Sequence, residues 1–176
     1  MHRAVFLDRD GVINEVLSKR VKFVNQPDDF YLLEGVGKSI KKLNELNFKV
    51  FVVTNQGGIG LGYMKESALR KIHEKMVADL ASFDASIDDI AYCPHKPQAG
   101  CRCRKPKPEM IYALAKKHNI KLPNSYMVGD RAPDIEAGNQ AGATTVLIGN
   151  RKEKTTADLY FRALLEFVNW LSDKEA

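Results

Sequence analysis

Residues 4–12 read AVFLDRDGV, an apolar run followed at once by two aspartates, a glycine and a valine. A short apolar run bounded by turn residues is typical of a buried strand, so Asp8 and Asp10 are expected just beyond its carboxyl end. Side chains two residues apart in an extended chain lie on the same side. Asp8 and Asp10 can therefore face a common ligand, while Arg9 is expected to point away from it.

Two further apolar runs also end on polar residues. One predicted strand covers 49–53 and leads into Thr54 and Asn55, and another covers 125–128 and leads into Asp130. In an open parallel sheet the carboxyl ends of the strands line one crevice, where ligands bind. The sequence therefore predicts that these polar residues converge on the two aspartates of the first strand.

The rest of the chain alternates between the two kinds of element. Helices are predicted over 35–46, 65–80, 108–117, 135–141 and 156–171, with further strands over 87–92 and 144–148. The polar segment 14–30 is predicted to be a loop or small flap over the crevice. Repeated strand–helix alternation indicates an α/β protein with a parallel sheet and helices on both faces. All 176 residues are expected to form one domain.

The composition narrows the class of protein. A count of 27 Lys and Arg against 22 Asp and Glu gives a net charge of +5, which is a modest excess spread along the chain. A solvated surface explains it better than a nucleic-acid groove, since no nucleic-acid-binding motif accompanies it. No apolar run is long enough to span a bilayer, and no signal peptide is recognisable. We expect a cytoplasmic monomer that contacts neither membrane nor nucleic acid.

All three cysteines lie close together, which is unlike the disulfide framework of a secreted domain. With one histidine they make a full tetrahedral set for structural Zn2+, namely Cys93, His95, Cys101 and Cys103. Four protein ligands leave the ion no open position, so it would have no part in hydrolysis. It would instead fix the loop that ends in Arg104 and Lys105. The alternative is unliganded buried thiols with the histidine at the surface.

Taken in order, the motifs resemble one known superfamily. Asp8-Arg9-Asp10-Gly11-Val12, Thr54-Asn55, Arg104-Lys105-Pro106 and Gly129-Asp130-Arg131 with Asp134 look like the haloacid dehalogenase (HAD) superfamily of aspartate-nucleophile phosphatases. The runs NQGGIGLGY (55–63) and CPHKPQAGCRCRKP (93–106) resemble the branch that contains heptose bisphosphate and histidinol-phosphate phosphatases. The resemblance covers 5–149. It implies a Rossmann-like HAD fold with a zinc-binding loop and no large cap domain.

The resemblance also implies a role for each motif residue. Asp8 would attack phosphorus and form an aspartyl phosphate, and Asp10 would be the general acid and base, protonated while Asp8 is ionised. Catalytic Mg2+ would be held by Asp8, the backbone carbonyl of Asp10 and Asp130. Thr54, with backbone donors near Asn55, would hold phosphoryl oxygens.

Lys105 would add positive charge to the phosphoryl oxygens, and Asp134 would hold Lys105 or a metal-bound water. Taken alone, some fragments have plainer interpretations: Asp-Gly is a common turn, and Asp134 could cap a helix.

The substrate is expected to be a small phosphorylated sugar. Asn55, Gly58, Arg104 and Arg131 are the candidate substrate contacts. Val12 and the pattern Gly58-Ile59-x-x-Gly62-Tyr63 look more like the heptose bisphosphate members of this branch than the histidinol-phosphate members. That resemblance implies removal of the 7-phosphate of D-glycero-D-manno-heptose 1,7-bisphosphate, on the route to nucleotide-activated heptose and surface glycans. Histidinol phosphate is the alternative substrate. A third hypothesis is a zinc-stabilised nucleic-acid-binding module or a polynucleotide 3'-phosphatase.

Overall fold

The computed structural model describes residues 1–149 and 153–176. Within these ranges six strands form one sheet: β1 Ala4–Leu7, β2 Lys49–Asn55, β3 Asp89–Cys93, β4 Tyr126–Gly129, β5 Thr144–Ile148 and β6 Leu159–Phe161. Their order is β3-β2-β1-β4-β5-β6, and every neighbouring pair is parallel. The predicted fold class is confirmed. The order reverses between β1 and β4, and this switch point is where doubly wound sheets bind ligands.

In the described part of the chain, five helices cover the two faces of the sheet: α1 Val36–Glu45, α2 Glu66–Ala81, α3 Glu109–His118, α4 Ala132–Ala141 and α5 Leu164–Glu175. Residues of α1, α2 and α5 share one core with Val5 and Leu7 of β1, whereas those of α3 and α4 share the other core with Ala4 and Phe6. Alternate strand residues thus enter opposite cores, as the two-residue period of a strand requires. Both faces of β1 are buried, which is why its sequence is continuously apolar.

The predicted helix over 156–171 is wrong in its first half. Leu159–Phe161 forms β6 beside β5, and α5 begins only at Leu164. The Asp158 carboxylate accepts hydrogen bonds from the Thr145 backbone N–H at 2.9 Å and from its hydroxyl at 3.2 Å, which fixes the chain against β5. Leu-Tyr-Phe also suits a strand, so pairing with β5 overrides the helical spacing of Leu159 and Ala163.

Other predictions differ from the structure mainly at element ends. The predicted strand over 87–92 begins at Asp89, and the predicted helix over 135–141 begins earlier, at Ala132. The segment 14–30 is irregular apart from a short 3-10 helix, Pro27–Asp29, as expected of a loop. The described residues contain no large cap domain inserted into the fold. No helix in the described ranges combines the length and the hydropathy of a membrane span.

Candidate active site

A cavity of about 540 Å3 lies at the carboxyl ends of the strands. Its lining includes Asp8, Asp10, Asn55, Arg104, Lys105, Asp130, Arg131 and Asp134. The structure thus brings these predicted residues, which come from distant parts of the sequence, to one place. Thr54 is buried beside them, and Gly58 lines a neighbouring cavity of about 480 Å3 that shares Asp10 and Asn55 with the first.

Lys105 is the buried centre of the site. Its ammonium group donates to Asp8 Oδ1 at 2.9 Å, to Asp134 Oδ1 at 2.6 Å and to the carbonyl of Val53 in β2 at 2.8 Å. An ammonium group has three N–H donors, so all of them are used. Asp134 also accepts from the Arg131 backbone N–H at 3.2 Å, so it caps α4 and holds Lys105 at the same time.

The Asn55 side chain holds the backbone of Lys105 in place. Its amide donates to the Lys105 carbonyl at 3.1 Å, and its carbonyl oxygen accepts from the Lys105 N–H at 3.0 Å. Such a two-way pair fixes the loop to β2 much as a strand neighbour would. Asn55 was predicted to contact substrate; its amide is committed to Lys105, and the substrate contact stays a prediction.

Two glycines allow the acidic residues to approach one another. Gly11 has a φ of +85°, and a Cβ atom there would lie 2.2 Å from Asp130 Oδ2. A Cβ atom on Gly129 would lie 2.1 Å from the Cβ of Asp134. Both the left-handed backbone and the close contact exclude larger residues at Gly11. The Asp-Gly and Gly-Asp pairs of the motifs thus have a steric reason.

Asp10 is held from behind by residues that sequence reasoning did not place in the site. Its Oδ1 accepts from Arg9 Nε at 3.0 Å, Arg9 Nη2 at 2.8 Å and Asn14 Nδ2 at 3.0 Å. Its Oδ2 accepts from Gln56 Nε2 at 3.2 Å, and that amide also donates to the Thr54 hydroxyl at 2.8 Å. Arg9 does not line the large cavity, as expected, but its guanidinium group turns back onto Asp10.

The remaining Arg9 nitrogen, Nη1, lies 3.2 Å from His73 Nε2 on α2. Burial first, and then the Arg9 charge, lower the pKa of His73 to about 4, so the ring is neutral and accepts this hydrogen bond. The one sequence signal for His73 is its position beside the buried Ile72 on the inward face of an amphipathic helix. Nothing in the local sequence connects it with Arg9.

The two aspartates differ in their protonation equilibria. Burial and the Asp134 carboxylate raise the pKa of Asp8 well above its usual range, although Lys105 acts in the opposite direction. Burial also opposes ionisation of Asp10, but Arg9, Asn14 and Gln56 outweigh it and lower the pKa of Asp10. The protein groups alone thus favour a protonated Asp8 and an ionised Asp10. The expectation from the sequence was the reverse, with Asp10 protonated and Asp8 ionised. A divalent cation beside Asp8 would favour its ionised form.

The acidic side chains fit a hard cation. Asp8, Asp130 and Asp134 each offer an oxygen, and these oxygens lie within 4.8 Å of one another. Lys105 neutralises only part of this charge, and carboxylate oxygens are the ligands that Mg2+ prefers. Asp134 binds Lys105 and the α4 terminus, whereas Asp8 and Asp130 directly follow the neighbouring strands β1 and β4. These two are the carboxylates that were predicted to hold Mg2+, and that assignment stays a prediction.

The cysteine loop forms a second cluster. Cys93, His95, Cys101 and Cys103 bring their ligand atoms within 4.8 Å of one another, and the cysteines are not disulfide-bonded. Cys93 Sγ lies 3.6 Å from Cys101 Sγ and 2.9 Å from Cys103 Sγ. A tetrahedron with Zn–S bonds of about 2.3 Å requires about 3.8 Å, so the first pair is close to that separation and the second is shorter. The cluster could hold Zn2+. The same loop continues into Arg104, whose guanidinium group donates to the His95 carbonyl at 3.3 Å, and then into Lys105.

Comparisons with known proteins agree with this geometry. A HAD-hydrolase-like family model matches residues 102–164. A D-glycero-alpha-D-manno-heptose-1,7-bisphosphate 7-phosphatase of Campylobacter jejuni is 37% identical over 98% of both chains. A D-glycero-beta-D-manno-heptose-1,7-bisphosphate 7-phosphatase of Haemophilus ducreyi is 39% identical, and the match covers 97% of this chain and 98% of the Haemophilus protein.

A solved structure gives the same result for the fold. The crystal structure of D,D-heptose 1,7-bisphosphate phosphatase from B. bronchiseptica, complexed with magnesium and phosphate, superposes with a TM-score of 0.87 at 32% identity. The match covers 98% of this chain and 99% of that one.

Proposed function

We propose that this protein hydrolyses the 7-phosphate of D-glycero-D-manno-heptose 1,7-bisphosphate. The chain belongs to the HAD-like hydrolases and, within them, to the family of phosphatases that are named for this reaction. The chain is a phosphoric monoester hydrolase, and its product is heptose 1-phosphate. The observation that carries this function is the buried Lys105, which joins Asp8 to Asp134 in the cavity that Asp130 also lines.

Asp8 is the nucleophile in this proposal. Attack of its carboxylate on phosphorus forms an aspartyl phosphate and releases the sugar hydroxyl, so one difficult displacement becomes two easier ones. The ammonium group of Lys105, 2.9 Å from Asp8 Oδ1, is placed to offset negative charge on the phosphoryl oxygens. The Thr54 hydroxyl, held by Gln56, would support the same group of oxygens.

Asp10 transfers the protons. It protonates the departing sugar oxygen in the first step and takes a proton from the attacking water in the second. Its position two residues after the nucleophile gives it access to the same cavity. The water then hydrolyses the aspartyl phosphate and regenerates Asp8.

Two metal ions complete the proposal. Mg2+, held by Asp8, the Asp10 carbonyl and Asp130, would neutralise charge between nucleophile and phosphate and orient the attack. Zn2+, held by Cys93, His95, Cys101 and Cys103, would fix the loop that carries Arg104 and Lys105. The donor types support both assignments.

The neighbouring cavity suits the remainder of the sugar. It contains Gly58 and shares Asp10 and Asn55 with the catalytic cavity. Arg104 and Arg131, which line the catalytic cavity, are candidate partners for hydroxyl groups or for the second phosphate. The monomeric state, the cytoplasmic location and the absence of a nucleic-acid partner stay predictions.

The test is phosphate release with saturating Mg2+ from four kinds of substrate. These are both anomers of the heptose bisphosphate, histidinol phosphate and a 3'-phosphorylated oligonucleotide. We expect kcat/KM for the preferred heptose anomer to exceed that for histidinol phosphate by at least about 100-fold, since a built site discriminates at that level. A preference for histidinol phosphate or for the oligonucleotide would overturn the proposal.

Asp8→Asn tests the nucleophile. We expect a folded protein with phosphate release near background, because an amide cannot form the acyl phosphate. Asp79→Asn is the matched control, since Asp79 pairs with Lys75 on the surface of α2 at 2.7 Å. Near-normal turnover in Asp8→Asn would contradict the assignment.

A further inference from the structure

Arg9 is among the largest fully buried side chains, although it is charged. It lies between Asp8, assigned to nucleophilic attack, and Asp10, assigned to proton transfer, and its side chain bonds to Asp10 and to His73. Two of its nitrogens donate to Asp10 Oδ1, and the third faces His73 Nε2. A buried arginine is costly unless it is paired and hydrogen-bonded, so this arrangement needs an explanation.

We propose that Arg9 and His73 are positioning residues for Asp10, and that together they make Oδ2 of Asp10 the atom that gives and takes the proton. This inference rests on the proposed phosphatase activity and goes beyond it, because neither residue touches the cavity in which the reaction occurs.

The hydrogen bonds distinguish the two oxygens of Asp10. Oδ1 accepts three N–H groups, two of them from the Arg9 cation and one from Asn14. Among the residues that the structure describes, Oδ2 accepts only from the neutral Gln56 amide, at 3.2 Å. The side chain is 32% exposed, and it lines both cavities. An oxygen surrounded by donors, one of them a cation, is a poor proton acceptor, so proton transfer falls to Oδ2.

His73 fixes the orientation of the arginine. A guanidinium group is planar, so anchoring Nη1 on one side fixes the direction in which Nε and Nη2 point on the other. The His73 ring also lies 6.3 Å from the Tyr92 ring at the end of β3. A neighbouring strand and helix thus hold the rotamer of Asp10 through Arg9, whereas Asp10 itself belongs to the turn after β1.

The test uses the demand for a general acid, which differs between leaving groups. A sugar alkoxide or phenolate needs protonation as it departs, whereas p-nitrophenolate needs little. The quantity to measure is kcat/KM, which reports only the steps up to formation of the phosphoenzyme. The substrates are the heptose bisphosphate, phenyl phosphate and p-nitrophenyl phosphate, each with saturating Mg2+.

Arg9→Lys keeps the positive charge but loses the planar guanidinium group, whose Nε and Nη2 both donate to Asp10 Oδ1. We expect kcat/KM for the heptose bisphosphate and for phenyl phosphate to fall about 10- to 100-fold, a share of the 10²–10⁴ that a general acid supplies, while p-nitrophenyl phosphate changes less than about threefold. An equal fall for all three substrates, or no fall in a folded variant, would overturn the proposal.

His73 provides a second pair of variants in case Arg9→Lys does not fold. His73→Phe keeps a ring but removes the acceptor, and we expect about a fivefold selective loss on the poor leaving groups, as for one hydrogen bond of about 1 kcal/mol. His73→Gln restores an acceptor and should recover most of that loss. Identical behaviour of the two variants would refute the role of His73.

Ile72→Val is the matched control, because Ile72 is fully buried on the same helix and its aliphatic side chain has no group that could hydrogen-bond to Arg9. It should lower thermal stability without changing the ratio of kcat/KM between the leaving groups. If the wild type hydrolyses both phenyl phosphates but not the heptose bisphosphate, the proposed substrate fails. The aryl pair then still tests the positioning of Asp10.

Discussion

Replacing Lys105 with methionine should damage stability and activity together, and the structure allows both effects to be estimated. Lys105 is 3% exposed, and its ammonium group lies between the Asp8 and Asp134 carboxylates at 2.9 and 2.6 Å. Burial opposes its charge, but the two carboxylates outweigh this and raise the pKa of Lys105, so the group is cationic at every working pH. Methionine fills a similar volume without charge.

The substitution leaves two buried carboxylates without their common cation. Removing one partner of a buried ion pair costs about 3–5 kcal/mol, because the remaining charge is left uncompensated. For a chain of this size the melting temperature falls by about 2–4 °C per kcal/mol, so a decrease on the order of 10 °C is expected. Loss of the positive charge at the phosphoryl group should lower kcat about 10²- to 10³-fold.

A second substitution separates the two effects. In Lys105→Met/Asp134→Asn one of the two carboxylates is gone, so we expect about half of the lost free energy of unfolding to return while kcat stays low. With Asp134→Asn alone as the third variant, these proteins and the wild type form a double-mutant cycle, which measures the coupling between the two residues. Urea unfolding without added Mg2+ gives the stabilities, since a bound divalent cation would mask the missing charge.

Lys75→Met is the control for loss of a lysine from an ion pair. Lys75 donates to Asp79 at 2.7 Å on the surface of α2, with its side chain 36% exposed. Surface pairs of this kind contribute about 0.3–0.5 kcal/mol. The reasoning about Lys105 is refuted if Lys105→Met is no more destabilising than Lys75→Met, or if Asp134→Asn fails to restore stability in its background.

Two further predictions concern the zinc loop and the buried histidine. Freshly purified protein should contain about one zinc per chain. A chelator should lower phosphatase activity even in excess Mg2+, because the loop then no longer holds Lys105 in the site, and added Zn2+ should restore the activity. Full activity in zinc-free protein would contradict this prediction. The pKa of His73 is about 4 in the folded chain and about 6.5 in the unfolded chain. As the pH falls from about 6.5 to about 4, the unfolded chain therefore takes up a proton that the folded chain does not, and the free energy of unfolding decreases. Between pH 7 and pH 5 this loss amounts to about 2 kcal/mol, and urea unfolding should show it in the wild type but not in His73→Gln; equal pH slopes would exclude it.

Most of the fold could be predicted because its determinants are local. Strands β1, β2 and β4 are apolar runs that end in polar residues, and α2 carries its apolar stripe at helical spacing, with Leu69 and Met76 buried as expected. The acidic site followed from the same strand ends. The short edge strand β6 could not be predicted in this way, because its three residues suit a strand but also continue a helical spacing, and pairing with β5 and the contact of Asp158 with Thr145 decide between them.

Arg9 shows why the residues that hold Asp10 from outside the cavity were not predicted from the sequence. The two-residue period of an extended chain fixes only the direction of each Cα–Cβ bond, so it correctly places Arg9 on the opposite side from the cavity. It does not limit where a long side chain ends, and this one returns to the neighbouring Asp10. The partner that directs it, His73, lies 64 residues further along the chain and meets it only because α2 packs behind β1. If proton transfer depends on one oxygen of Asp10, the motif supplies the carboxylate and the packing of α2 selects the oxygen.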